Sequence, residues 1–337
     1  MTLPLDVAGA EAEQFIIPPL DCPIPPLVSN YVEQVDERTI EWACSHGLAS
    51  DDRAKHKLRE GKFGWFGARV HPHDSFDELS LVTDWLTWLF YHDDIWCDDV
   101  AIKQRGDLRR FIAAHQRFMA ILNGVTVRTE RYDPLDSSLA DIRRRLLEKT
   151  SADGLQHFIH SVKDYFEGNL WEVSNHTQGV IPDITTYMKM RPFAGGVNTC
   201  LEIGCIVAQI RLKPDVHEHL YVRQLTLLAN NCATWINDLF SLSKEIREGN
   251  MSNLILTVCN ERQCSLQAAI NTVAEMCNAE IRAFSSLLSR FSDIPPLRYQ
   301  RDTDLQRYIA LLQRWIRGNL DWSLETRRYS GYVIQRQ

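Results

Sequence analysis

Two short stretches of the chain carry residues whose types and spacing suit metal and phosphate chemistry. The first is Asp93-Asp94-Ile95-Trp96-Cys97-Asp98-Asp99. Phe76, Leu79, Val82, Leu86, Leu89 and Phe90 mark one face of a helix leading into it. Asp93 follows Leu89 by four residues and Phe90 by three, so at about 100° per residue it extends that apolar face. Acids in a solvated loop after a helix are common and cost little. A carboxylate continuing a core face instead needs a cation, and Mg²⁺ takes hard oxygen ligands of this type. The second stretch runs from Asn237 to Glu245 and places Asn237, Ser241 and Glu245 at i, i+4 and i+8. On a helix these three rise as a column within an arc of roughly 80°. An amide oxygen, a hydroxyl and a carboxylate in one column offer three hard donors to a second cation. Polar residues at this spacing also occur on plain helix surfaces.

Both stretches need helices to position them, and the rest of the chain supplies a helical pattern. Pro18, Pro19, Pro23, Pro25 and Pro26 make 15–30 an extended arm, because proline fixes φ and removes amide donors. From Ser29 onward, apolar residues recur at three and four, and no stretch reads as a β-sheet. Besides the helix running into Asp93, the spacing predicts helices over 106–122, 138–149, 154–178, 183–190, 198–211, 216–247, 265–291 and 302–326. Breaks are expected at Pro134, Pro182, Pro192 with Gly195-Gly196, Pro214, Gly249 and Pro295-Pro296. No internal repeat is present, which disfavours a solenoid. The expectation is an all-α single domain, a bundle of about ten helices, over 29–330, preceded by the proline-rich arm 1–28 and followed by a tail, 331–337.

Composition narrows the partners. With 337 residues and 45% hydrophobic content, the chain can bury a large core. A formal net charge of -7 lacks the basic stripe that binds phosphate backbones, so nucleic acid is not an expected partner. The nine cysteines form no CxxC pair and read as small buried hydrophobes of a reducing compartment. The segment 1–14 contains Asp6, Glu11 and Glu13 and no basic residue, unlike a secretory signal. No apolar run approaches the length of a membrane span. A cytoplasmic location without stable membrane insertion is expected.

The pattern Asn-Asp-Leu-x-Ser-x-x-x-Glu at 237–245 resembles the second metal motif of microbial class I terpene synthases, and the earlier run resembles their aspartate-rich motif. Arg191, 46 residues before Asn237, is placed like that family's diphosphate-sensing arginine, and Arg328-Tyr329 looks like its terminal Arg-Tyr pair. The resemblance covers 63–329. Two positions depart from the pattern. The first run is Asp-Asp-x-x-x-Asp, with Cys97 where the commoner form has its last acid. After Arg191, Ala194 and Gly195 stand where a polar linker and a small residue at a helix break are usual.

The resemblance implies a helical bundle around a central cavity and a Mg²⁺-dependent cyclase. Such an enzyme ionises an allylic prenyl diphosphate, commonly of fifteen carbons and next of twenty (farnesyl and geranylgeranyl diphosphate), to give a terpene hydrocarbon or alcohol. It implies three Mg²⁺ ions, with Asp93 assisted by Asp94 or Asp98 on one side and Asn237, Ser241 and Glu245 on the other. Arg191, Lys244, Arg328 and Tyr329 would bind the diphosphate. A homodimer is compatible with it. Phe90 and Trp322 are the first candidates for aromatic cavity walls, because ring faces stabilise positive charge without offering a nucleophile. Phe63, Trp65, Phe66 and Phe166 follow, Trp235 reads as core, and Asn230 is a candidate polar group in the cavity. A prenyl-chain elongating synthase is the nearest alternative, but it would carry a second aspartate-rich motif in place of the Asn/Ser/Glu ladder. A di-iron carboxylate bundle needs Glu-x-x-His pairs, which none of the eleven histidines provides. A non-catalytic helical interaction protein is the remaining alternative.

Overall fold

The structure, a computed structural model, describes residues 15–97, 108–125, 133–291 and 303–335. Among them are fourteen α-helices: α1 (Val32–Ser45), α2 (Asp52–Gly61), α3 (Phe63–Val70), α4 (Phe76–His92), α5 (Leu108–Leu122), α6 (Pro134–Leu147), α7 (Ala152–Gln178), α8 (Ile184–Ala194), α9 (Val197–Val207), α10 (Pro214–His217), α11 (Leu220–Arg247), α12 (Leu254–Arg262), α13 (Leu266–Ser289) and α14 (Thr303–Glu325). A π-helical turn, Asp93–Cys97, continues α4. The all-α expectation holds.

Local chemistry explains the boundaries. Ser75 and Glu78 form a capping box at the start of α4. Asp51, Ser151, Asp183 and Ser265 accept backbone N–H bonds at the starts of α2, α7, α8 and α13. Pro134 stands at the expected break and opens α6, because a proline at the first helical position has no N–H to leave unpaired. The stretch 216–247 is two helices, α10 and α11, and the first of them starts at Pro214.

Pro192 lies inside its helix, and the break expected there falls at Gly195-Gly196. α8 runs on to Ala194 and stops where Gly196 turns left-handed at φ 72°. Gly195 is required for closeness instead: a Cβ there would overlap the Thr234 side chain on α11. Gly64 on α3 likewise lets α3 lie against the Asp36 backbone of α1.

One element departs from the sequence expectation. Phe15–Ile17 (β1) pairs in parallel with Tyr332–Ile334 (β2), so a small sheet joins the two ends of the described chain. Strands of three residues carry too little alternation to be read from sequence. Gln267 on α13 brackets the exposed Ile16 by bonding both its N–H and its carbonyl. The proline-rich arm then runs along α13 and α14, where Arg317 donates to the Cys22 and Ile24 carbonyls and Asn278 to that of Pro19. After α14, Thr326 Oγ1 donates to the Gly61 carbonyl at 3.0 Å and the Arg327 N–H to that of Glu60 at 3.0 Å. Together with β2, these contacts fix the Arg328-Tyr329 pair from both sides.

Candidate active site

A cavity opens between α4 and α11, with further walls from α3, α7, the α8–α9 break, α14 and the segment after it. Its floor is apolar and aromatic, from Phe66, Leu86, Leu89, Phe90, Trp315 and Trp322. Phe90 and Trp322 stand where the sequence expectation put them. Trp322 is fully buried, stacks on Phe66 with centroids 4.5 Å apart, and donates its indole N–H to the Gly61 carbonyl at 2.9 Å. Phe90 stacks on Phe63 at 4.3 Å, which makes Phe63 a supporting ring behind the wall. Phe166 packs among Trp88, His92, His115 and Phe118, and the Lys62 ammonium lies over Trp65. Neither lines the cavity. Trp235 is core, 1% exposed. Asn230 does not enter the cavity. Its amide donates to the Pro192 carbonyl at 3.0 Å and to Asn198 Oδ1 at 2.9 Å, holding the helix break from behind.

The polar groups gather on two walls. On α11, Asn237, Ser241 and Glu245 all line the cavity as a column. Ser241 Oγ donates to Glu245 Oε1 at 2.6 Å. Asn237 donates to Tyr329 Oη at 2.7 Å and accepts from Arg191 at 3.1 Å. Glu245 is buried, and burial together with the Asp238 charge pushes its carboxyl up to about 7. Its second oxygen accepts from Asn253 at 2.7 Å, and a buried carboxylate beside an amide oxygen and a hydroxyl offers a hard divalent cation a fitting set of ligands. On the facing wall Asp93 lines the cavity with its side chain 42% exposed. Among the described residues no three His, Cys, Asp or Glu side chains gather as a metal-binding group. Asp98 lies outside the described residues.

Asp94 is engaged differently. Its carboxylate accepts from Arg328 at 2.6 and 3.1 Å and from Lys57 at 2.8 Å, and Lys244 stands 3.5 Å away. Against the burial that would raise it, Arg328, Lys244 and Lys57 hold its carboxyl well below the usual carboxylate range. Arg328 also lies 4.9 Å over the Phe90 ring, and Tyr329 is pushed up to about 12 by burial, so it remains a neutral donor. The wider π turn accommodates this division, with Asp93 at the cavity and Asp94 among the cations.

Three residues of the site have roles that the motifs do not announce: Asp238, inside the second motif, and Glu172 and Lys57, outside both. Asp238 accepts from Arg191 at 2.7 and 3.0 Å, from Tyr187 Oη at 2.9 Å and from the Leu254 N–H at 3.1 Å. With Ala194 unable to bond the arginine, Asp238 is what aims Arg191 at the cavity. Glu172 on α7 stands 3.7 Å from the same guanidinium, and Lys57 on α2 reaches Asp94. Only the meeting of separate helices gives these side chains a role.

A family model described as terpene synthase family 2, C-terminal metal binding, matches residues 84–283. The (+)-T-muurolol synthase of Roseiflexus castenholzii, described as (2E,6E)-farnesyl diphosphate cyclizing, is 37% identical over 304 residues, covering 90% of each chain. The germacrene A synthase of Nostoc punctiforme is 34% identical, covering 94% of this chain and 96% of its own. Among solved structures, a-eudesmol synthase superposes with a TM-score of 0.79 at 20% identity, covering 91% of this chain and 98% of its own. A cucumene synthase variant gives a TM-score of 0.80 at 21% identity, covering 92% of this chain and all of its own. The chain therefore belongs to the microbial class I terpene synthases. It is a terpene cyclase, a lyase acting on a prenyl diphosphate, and its activity depends on a divalent metal. No helix among the described residues is long and apolar enough to cross a membrane.

Proposed function

We propose that the protein cyclises farnesyl diphosphate to a sesquiterpene with Mg²⁺ as the metal, three ions in all. The observation that carries this reading is one cavity joining the Asn237/Ser241/Glu245 column and Asp93 to an aromatic floor of Phe66, Phe90 and Trp322. Asn237, Ser241 and Glu245 would hold one ion and Asp93 the others, with Asp98 a further candidate and Asp94 tied to the cations. Bound Mg²⁺ would supply Lewis-acid stabilisation of the departing diphosphate. Arg191, Lys244, Arg328 and Tyr329 donate to the diphosphate oxygens, and the arginine forks can bond two oxygens at once. Burial of these donors makes them stronger there than in water, because little solvent competes for the same oxygens. The aromatic floor keeps water from the carbocation and offers it ring faces. Relatives named for farnesyl diphosphate support the fifteen-carbon substrate over geranylgeranyl diphosphate.

Gas chromatography of products from the ten-, fifteen- and twenty-carbon diphosphates, with and without the five-carbon homoallylic diphosphate, tests this reading. The expected result is a cyclic fifteen-carbon product that the homoallylic partner does not change. A longer diphosphate as the main product would establish chain elongation instead, and turnover of the twenty-carbon substrate alone would overturn the farnesyl assignment.

A further inference from the structure

Behind the α7 wall of the cavity lies a chain of three hydrogen-bonding side chains that the ionisation machinery does not use. Tyr165 lines the cavity beside the helix break, where a Cβ on Gly196 would lie 3.5 Å from its ring. Its hydroxyl is 3.0 Å from His92 Nδ1, His92 Nε2 is 2.8 Å from His115 Nε2, and His115 Nδ1 is 2.7 Å from the Phe111 carbonyl oxygen. All three side chains are buried, and the rings of Trp88, Phe111, Phe118 and Phe166 enclose the pair of imidazoles.

The direction of this chain is fixed from its far end. A carbonyl oxygen only accepts, so His115 carries its proton on Nδ1 and presents a bare Nε2. His92 must therefore donate from Nε2, which leaves its Nδ1 as the acceptor. The Tyr165 hydroxyl then donates to His92. Neutral rings are what the packing dictates: both imidazoles are buried among aromatic rings, with only each other, the Tyr165 hydroxyl and a carbonyl oxygen as polar partners among the described residues. Among the described residues neither ring contacts a carboxylate that would restore a charge.

We propose that Tyr165 is a further catalytic residue of this cavity. Its hydroxyl proton is held away by His92 and His115, so the side chain meets the reacting carbocation as an electron-rich ring and an oxygen lone pair. A phenol that donates a hydrogen bond gains electron density in its ring, and a denser ring face attracts a cation more strongly. The charge of the cyclising chain is drawn toward the α7 wall, which selects among the products. Tyr165 acts on the substrate directly. His92 and His115 are positioning residues.

The proposal rests on the reading that the cavity takes an allylic diphosphate, and the test separates the two. The enzyme, Tyr165→Phe, His115→Phe, the double variant and His115→Gln are compared with farnesyl diphosphate and Mg²⁺, recording diphosphate release and product ratios. Tyr165→Phe and His115→Phe are expected to lower the share of the main product in the same direction, on the order of threefold to tenfold. The double variant should go no further. His115→Gln keeps an amide donor for Phe111 and an acceptor for His92, and should restore the original ratio. An unchanged ratio in Tyr165→Phe overturns the role of Tyr165. An altered ratio there with none in His115→Phe, or a glutamine variant that behaves like phenylalanine, overturns the orientation by the histidines. Should His115→Phe not fold, Tyr165→Phe and His115→Gln decide the matter. Absence of diphosphate release by the unaltered enzyme from any prenyl diphosphate would instead sink the reading of function.

Discussion

Asn237, Ser241 and Glu245 show how much a spacing can say before a structure is seen. Residues at i, i+4 and i+8 on a helix must share a face, and all three line the cavity. Their partners were not legible in the same way. Asp238 sits in the same motif, yet its role depends on Tyr187, Arg191 and the Leu254 N–H arriving from two other helices. Lys57 and Glu172 are single charged residues of ordinary helices, and only tertiary packing brings them to Asp94 and Arg191. The sequence expectation has Asp94 assisting Asp93, alternatively with Asp98, whereas the π turn and three cations give Asp94 a different engagement. Replacing Asn237 or Glu245 by alanine should lower turnover roughly a hundredfold or more, since each removes a group aimed at the departing charge. Far-UV circular dichroism should stay unchanged, because the fold does not rest on either side chain. Retained turnover in both variants would show that the column does not act on the diphosphate.

At the scale of elements, most helices announced themselves by period and caps, whereas α1, α2, α3 and α12 were not individually predicted and the two short strands were not predicted at all. Pro134 and Pro214 mark boundaries by opening helices, where the missing N–H is unneeded, while Pro192 lies inside the last turn of α8 and the break expected there falls at Gly195-Gly196. The β1–β2 pair is invisible to a local reading because its strands come from opposite ends of the described chain. The α1–α3 contact carries a pH dependence of its own. Asp36 on α1 accepts the Gly64 N–H at 3.1 Å, and burial pushes its carboxyl up to about 6 from an ordinary value of 3.8. The folded protein thus binds this proton more tightly than the unfolded chain. The destabilisation is complete above about pH 7 and is relieved as pH falls through 6 toward 4. Asp36→Asn keeps the acceptor and removes the ionisation, so it should raise stability at pH 8 by about 1–2 kcal/mol and by roughly half as much at pH 5. Calorimetric melting at the two pH values measures this, and an equal gain at both would refute the assignment.

For the molecule as a whole, the bundle holds two polar walls apart across an apolar cavity, and closes its mouth with a C-terminal segment pinned by α2 and the small sheet. That arrangement lets one site stabilise a leaving anion at one end and shelter a cation at the other. Asp93 from one wall and the α11 column from the other line the same cavity. The joint action of both walls is tested most directly by measuring diphosphate released from farnesyl diphosphate, with and without Mg²⁺, while the organic product is followed by gas chromatography. The expected result is Mg²⁺-dependent release, abolished by a chelator, with one cyclic hydrocarbon or alcohol formed per diphosphate. Release that persists without a divalent metal, or that yields only the linear alcohol, would contradict it.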